Sequence, residues 1–431
     1  MTARQVAAER QARFWERGLD YPLIVIIVAL LLIGLMMVFS ATFNWAGEAH
    51  GDPAYYFTRQ VVWTALGAVV LVILARVEYH RWRRYSIPLM GLALAMLLIV
   101  FFLGTTRFGA RRTMWQGSIQ PSEFCKLLII LYVADWVSSK GERIKQVTYG
   151  LVPFAILIGA VAALIVLQPD ISTAVIIVLT AVVMFFTAGA DVLQLIISFA
   201  FGGAAFMLLI SRTPHAWDRV TGYLATLNDP YTGSSYHVRE ALAALGMGGL
   251  TGQGLGMGTQ KLHALPLPHT DTIFAVLGEE LGLMGTMLVI GLFAALAYRG
   301  FKVALEAPDN FGAVLAAGIT LSLLFQALIN IAVVTATLPF TGIPLPFISY
   351  GGSSMVVSMA SVGLLIGVSR GKRQQESTRR ARYHLGRRDG RARLSSTGRR
   401  RSAKPSGQTQ NRRSRRGRSA GRRSRRERNG R

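Results

Sequence analysis

One cysteine stands among 431 residues, Cys125, so the chain has no intrachain disulfide and no cysteine-rich metal site. Acidic residues are scarce too: 22 Asp and Glu face 47 Lys and Arg, and charged residues make up only 16% of the chain. The apparent net charge of +25 misleads until it is divided. Residues 370–431 hold 25 of the Lys and Arg and 3 of the acids, which leaves only +3 on the preceding 369 residues. The tail is Ser-, Gly- and Arg-rich, a composition too polar to bury a core, and reads as a disordered appendage. The body is near neutral and strongly apolar, which excludes an ordinary soluble domain.

What is present comes in long apolar blocks. A bilayer core of ~30 Å needs about 20 helical residues to cross. Ten runs meet that rule: 21–43, 58–76, 85–104, 122–138, 148–167, 170–189, 191–211, 273–298, 311–336 and 348–369. Run 122–138 is the weakest, because it contains Glu123, Lys126 and Asp135. The first run is too long for a signal-peptide core and serves as an anchor. The expected fold is therefore an all-α polytopic membrane protein of about ten transmembrane helices. Residues 1–20 form a cytoplasmic N-terminal segment, 21–369 the membrane domain and 370–431 the basic cytoplasmic tail.

Arg4, Arg10, Arg13 and Arg17 precede the first helix, and the positive-inside rule puts them in the cytoplasm. Ten crossings then place loops 77–84, 139–147 and 299–310 inside, and all three carry Lys or Arg. Both termini face the cytoplasm. The outer face receives 44–57, 105–121, the QPD turn at 168–170, a large extracytoplasmic loop at about 212–272 between the seventh and eighth helices, and 337–347. Two outer loops carry basic residues against the rule: Arg107, Arg111 and Arg112 in one, Arg212, Arg219, Arg239 and Lys261 in the other. Pairing with Glu240, Asp218 and Asp229 or with headgroups would account for them. So would an anionic ligand such as phosphate, which arginine's planar fork grips well. No inverted internal repeat of the transporter kind is evident.

The stretch from Gly246 to Leu283 departs most from a generic membrane protein. A glycine-rich segment leads to two prolines and His269-Thr270-Asp271, then to an apolar run with Glu279 and Glu280. Glycine permits unusual backbone angles and proline fixes φ, which suits a shaped loop over a membrane surface. Asp271 sits where that loop enters hydrocarbon. An ionisable group there is a functional candidate by default. His269, two residues earlier, is a second acid/base or a plain loop residue. With His237 and His263 it completes a possible outer-loop set whose spacing matches no zinc motif. Glu279 and Glu280 lie about 12 Å deeper on helix geometry. Adjacent helix positions diverge, so one of the two is expected to face a polar interior. Glu123 and Lys126, three apart, share a helix face. Unpaired, each would cost about 3 kcal/mol in the membrane. An ion pair between them is one reading; a Lys126 aimed into an outer cavity as a phosphate contact is the other. Asp170 is read as the N-cap of the sixth helix.

Six motifs in order are GARR at 109–112, QPSEFCKL at 120–127, QPD at 168–170, GGLTGQGLGMGTQKL at 248–262, HTD with GEELG at 269–282, and TGIPLPFISYGGSS at 341–354. In that combination the body resembles the SEDS family of polytopic cell-wall proteins (shape, elongation, division and sporulation), the RodA/FtsW group, with a slight lean to the division branch. The resemblance stops at the tail. It implies a peptidoglycan glycosyltransferase of the bacterial cytoplasmic (inner) membrane. Such an enzyme polymerises lipid II, a disaccharide-pentapeptide on undecaprenyl pyrophosphate, at the outer face, with a class B penicillin-binding protein as partner. The family's essential aspartate falls on Asp271, its Glu/Lys pair on Glu123 and Lys126, and its basic pair on Arg111 and Arg112. Lys261, His269 and Ser353 join the substrate-binding candidates from within their motifs. The sequence departs from the pattern at Thr113 and Trp115, at Leu267 and Thr272, at Ser172 and at His237, which replaces a usual glutamine.

Glycan extension from a lipid pyrophosphate needs a base at the acceptor hydroxyl and positive charge at the leaving group. Asp271 is the general base in this reading, with Arg111, Arg112 and Lys126 at the pyrophosphate. The reaction would invert configuration, and a groove between helices would hold the polyprenyl chains. No side-chain cluster demands a metal and none rules one out, so a divalent cation, Mg or Mn, stays open. A lipid II flippase and a non-enzymatic scaffold for a transpeptidase are the rival readings; the outer clustering of the motifs favours the enzyme. For the tail, anionic inner-leaflet lipid fits better than nucleic acid.

Overall fold

The computed structural model describes residues 20–371 except 104, 108–109, 114–119, 213, 229–235, 264 and 266. The expected cytoplasmic N-terminal segment and basic tail lie outside the described residues, apart from Asp20 and from Arg370 and Gly371.

A helix stands in each of the ten apolar runs. Helix α1 spans Tyr21–His50, α2 Tyr55–Arg76, the short α3 Tyr79–Arg84, and α4 Ser86–Leu103. Two short antiparallel strands follow, β1 at Thr105–Arg107 and β2 at Ala110–Thr113, with Thr106 opposite Arg111. Then come α5 at Pro121–Lys140, α6 at Val152–Val166 after a 3-10 and a π turn, α7 at Ile171–Thr187, and α8 at Val192–Ser211. The large loop folds into α9 at Pro214–Asn228, α10 at Tyr236–Gly248 and the single turn α11 at Gln260–His263. Helix α12 runs Ile273–Leu305, α13 Asn310–Val334 and α14 Gly352–Gly371.

Among the described residues seven helices are long and apolar enough to cross a membrane, fewer than the ten expected. The shortfall has a physical basis. Helices α4 and α7 are apolar but short, and α5 keeps Glu123, Lys126, Asp135 and Lys140 along its 20 residues. Helices α13 and α14 are mostly enclosed, while α2 and α8 turn most of their apolar surface outward. An apolar helix exposed all round belongs in lipid. The described core is one contiguous cluster, in which α12 packs on α1, α10 and α13, and α13 on α5 and α7.

One end of the bundle is tied by charge. Arg299 reaches Asp20 at 2.6 Å, Arg83 reaches Asp135 at 2.9 Å, and the Tyr79 hydroxyl meets Asp309.

The single apolar run at 273–298 gives no sign of it, but α12 breaks at Gly282, where φ is 67° and ψ −163°. Only glycine adopts that backbone readily. The glycine-rich loop repairs the break. Gln253 and Gly254 donate to the carbonyls of Glu279 and Glu280 at 3.0 Å, and Leu283 and Met284 donate to Gly249 and Leu250 at 2.9 and 3.1 Å. Irregular backbone at membrane depth is tolerated only when its polar groups are satisfied in this way. The loop is thus docked onto α12 rather than merely laid over a surface.

Candidate active site

Asp271 is the last residue but one before α12. Its carboxylate accepts the Thr270 hydroxyl at 2.7 Å. The N-cap of α12 is Thr272, so Asp271 stands one residue outside the cap position. Its carbonyl accepts Asn330 Nδ2 at 2.8 Å, and the same nitrogen reaches the Ile343 carbonyl at 2.6 Å. A single buried amide on α13 therefore joins the HTD loop to the Pro/Gly strap 337–347. The strap bends at Gly342, with φ of 64°, where an added Cβ would come 3.3 Å from Asp271 Oδ2. Asp271 is only partly buried, and its side chain lies against that bend.

His269 is buried, and its ring packs against Trp45, Tyr56 and Tyr350 at centroid distances of 5.2, 5.3 and 5.5 Å. Its carbonyl accepts Tyr350 N at 2.8 Å. Burial pushes the imidazole down to about 4, so it is neutral at pH 7. Stacked and neutral, His269 braces the loop that presents Asp271.

Glu123 and Lys126 form a buried ion pair at 2.9 Å. The Lys126 ammonium also donates to Gln326 Oε1 at 2.7 Å, and Gln326 Nε2 donates to the Pro344 carbonyl at 2.9 Å. The cavity lined by Lys126 measures about 10 Å³, room for roughly one water and far too little for a substrate. Arg111 and Arg112 lie on β2, but their side chains fall outside the described residues.

Three motifs meet through hydrogen bonds. Ser353 Oγ accepts Gln120 N at 3.1 Å. Gln120 and Ser122 donate to Asp170 Oδ2 at 3.0 and 2.8 Å, and Asp170 also accepts Thr173 N at 3.4 Å as the N-cap of α7. Ser172 donates to the Thr341 carbonyl at 2.8 Å. QPSE, QPD and the strap therefore form one polar seam beside Asp271's anchor.

Both acids of GEELG have polar partners, where only one was expected to. Glu280 takes Lys261 at 2.5 Å and Ser40, with Lys261 and Glu280 both buried. Glu279 accepts Thr259 N and Gln260 N at 2.6 and 3.1 Å. Both acids precede the break at Gly282, and both grip the same glycine-rich loop. Lys261 lies in this clamp, a place that argues for holding the loop rather than meeting an anion.

Sequence reasoning passed over Asn330 and Gln326. The signal was there: two amides four residues apart share one face of an apolar helix. It placed His237 only in an outer-loop histidine set and among the departures from the family pattern. That ring stacks on Phe340 at 4.6 Å, and its Nδ1 is buried without a hydrogen-bond partner among the described residues. His237 is held below the ordinary imidazole value by burial, offset by the Asp271 carboxylate and reinforced by Arg219. Among the described residues no group of three or more His, Cys, Asp or Glu could hold a metal ion.

The family described as "Cell cycle protein" (FtsW, RodA, SpoVE) matches residues 21–374. Stage V sporulation protein E of Bacillus subtilis is 40% identical over 355 residues, 81% of this chain and 97% of that one. A probable peptidoglycan glycosyltransferase FtsW of Trichlorobacter lovleyi is 35% identical, covering 82% and 93%. Among solved structures, a chain from the work described as "Structural coordination of polymerization and crosslinking by a peptidoglycan synthase complex" superposes with a TM-score of 0.66 at 27% identity, covering 82% of this chain and 98% of the other. Rod shape determining protein RodA of Thermus thermophilus gives 0.61 at 26% identity, with the same coverage.

Proposed function

The chain belongs to the FtsW/RodA/SpoVE family, and from that premise we propose that it polymerises lipid II with Asp271 as general base. It is a multi-pass inner-membrane protein and a peptidoglycan glycosyltransferase. The observation that carries the assignment of Asp271 is the Asn330 amide. It fixes the Asp271 backbone to the strap and leaves the carboxylate partly open beside Gly342.

In this reading Asp271 takes the proton of the acceptor sugar hydroxyl while that oxygen attacks the donor's anomeric carbon. The polyprenyl pyrophosphate leaves with the bonding pair, and configuration inverts. Arg111 and Arg112 on β2 supply positive charge to the leaving group. Lys126 would join them by exchanging Gln326 for a phosphate oxygen; until then it positions the strap through Gln326 and Pro344. A divalent cation carried on the pyrophosphate is compatible with this arrangement. The site faces outward, where the positive-inside rule puts the 212–272 loop. The partner is a class B penicillin-binding protein that crosslinks the product, and the basic tail binds anionic inner-leaflet lipid.

The test is purified full-length chain with lipid II, polymer read on a gel, with and without a cognate transpeptidase. Glycan strands support the reading. Lipid II left unpolymerised in both arms would overturn it.

A further inference from the structure

His237 is the second residue of α10 and shares the strap with Asp271. Its ring lies on Phe340 at 4.6 Å with 20° between the planes, while Asp271 Oδ2 lies against Gly342, two residues on. The left-handed bend at Gly342 brings these two flanking side chains to one short segment. Phe340 sets the plane of the imidazole, and Nδ1 is buried with no hydrogen-bond partner among the described residues. A buried ring nitrogen left unsatisfied among the described residues, on the strap that also meets the proposed base, has the chemistry of a proton acceptor.

We propose that His237 is the proton-relay group of this site, receiving through one bridging water the proton that Asp271 removes from the acceptor hydroxyl and passing it on to solvent. This rests on the assignment of Asp271 as base. In each turnover the acceptor O–H breaks, the new glycosidic C–O bond forms, and the anomeric C–O bond to pyrophosphate breaks with its electrons on the leaving group. One proton remains on Asp271. The carboxylate must shed it before the next addition, and a neutral imidazole at partial exposure offers the route.

The surroundings suit that role. Burial keeps the imidazole below its ordinary value and hence neutral at rest, and the Asp271 charge favours its protonated form. Among the described residues the charges facing His237 are few. Arg219 comes from α9. On α10 itself Arg239 and Glu240 pair with each other at 3.2 Å. On α12 and α11, Glu279, Glu280 and Lys261 sit toward the far end of α10 and are engaged in their own clamp. Helix α13 and the strap carry no charged residue.

The experiment measures lipid II polymerisation by the full-length chain across pH about 5 to 8 for wild type, His237→Phe, His237→Ala and Asp271→Asn, with melting temperatures. His237→Phe keeps the stack on Phe340 but cannot carry a proton. It is expected to lose kcat about tenfold at unchanged KM and to flatten the acid limb of the pH profile. His237→Ala should regain rate when imidazole is added. A His237→Phe enzyme with the wild-type rate and pH profile would overturn the relay, as would a His237→Ala enzyme indifferent to imidazole. If wild type polymerises and Asp271→Asn does not, such a result removes the relay alone. Wild type inert on lipid II removes the functional reading and the relay together.

Discussion

Asn330 Nδ2 lies 2.8 Å from the carbonyl oxygen of Asp271, a bond between the last turns of α13 and the loop that carries the proposed base. The same nitrogen serves Ile343, so one amide sets the distance between base and strap. Leucine at this position matches the volume and removes both donations. Asn330→Leu should leave two buried carbonyls short of a partner, at about 1–3 kcal/mol each. Melting temperature should fall, and turnover below the melting range should fall further than the folded fraction does. Full turnover in the folded mutant would show that this bond has no part in placing Asp271.

The Lys261–Glu280 pair predicts a different pattern. Removing one partner of a buried ion pair typically costs about 3–5 kcal/mol, because the other charge is stranded. Lys261→Met and Glu280→Gln should each destabilise strongly, while the double variant should recover much of the loss. Denaturant midpoints for the four proteins give the coupling directly. Additive losses would mean that the two side chains do not stabilise each other.

His269 gives a pH signature. Its folded value of about 4 lies below the ordinary 6.5, so between these values the unfolded chain binds more protons than the folded one. Stability from this group is therefore complete above about 6.5 and lost as pH falls toward 4, by about 3 kcal/mol. His269→Phe keeps a ring against Trp45 and cannot titrate. Its melting temperature should depend less on pH in that window; an unchanged slope would place the titration elsewhere.

How much of this was legible in the sequence differs by element. Apolar runs locate helices well, because hydrophobic length is a local property. The same runs hid the break at Gly282, since the hydrogen bonds that make it tolerable come from Gly249 to Gly254 in another segment. Asp170 was readable as a helix cap because capping is local, but its links to Gln120 and Ser122 span about fifty residues and leave no periodic trace. The Glu123–Lys126 pair followed from three-residue spacing, whereas Gln326 as its third member required α13 to lie alongside α5. Asp271 stood out as a carboxylate at the hydrocarbon edge. Asn330, which holds it, is a neutral amide in an apolar run, and only the fold reveals what it does.

The most direct test of the account is the turnover of Asp271→Asn on lipid II beside its melting temperature. Asparagine keeps the shape and the capacity to accept the Thr270 hydroxyl, but it cannot take up the acceptor's proton. The account predicts a folded protein with near-normal melting whose polymerisation falls by at least about a hundredfold. A folded Asp271→Asn that polymerises lipid II at the wild-type rate would contradict it.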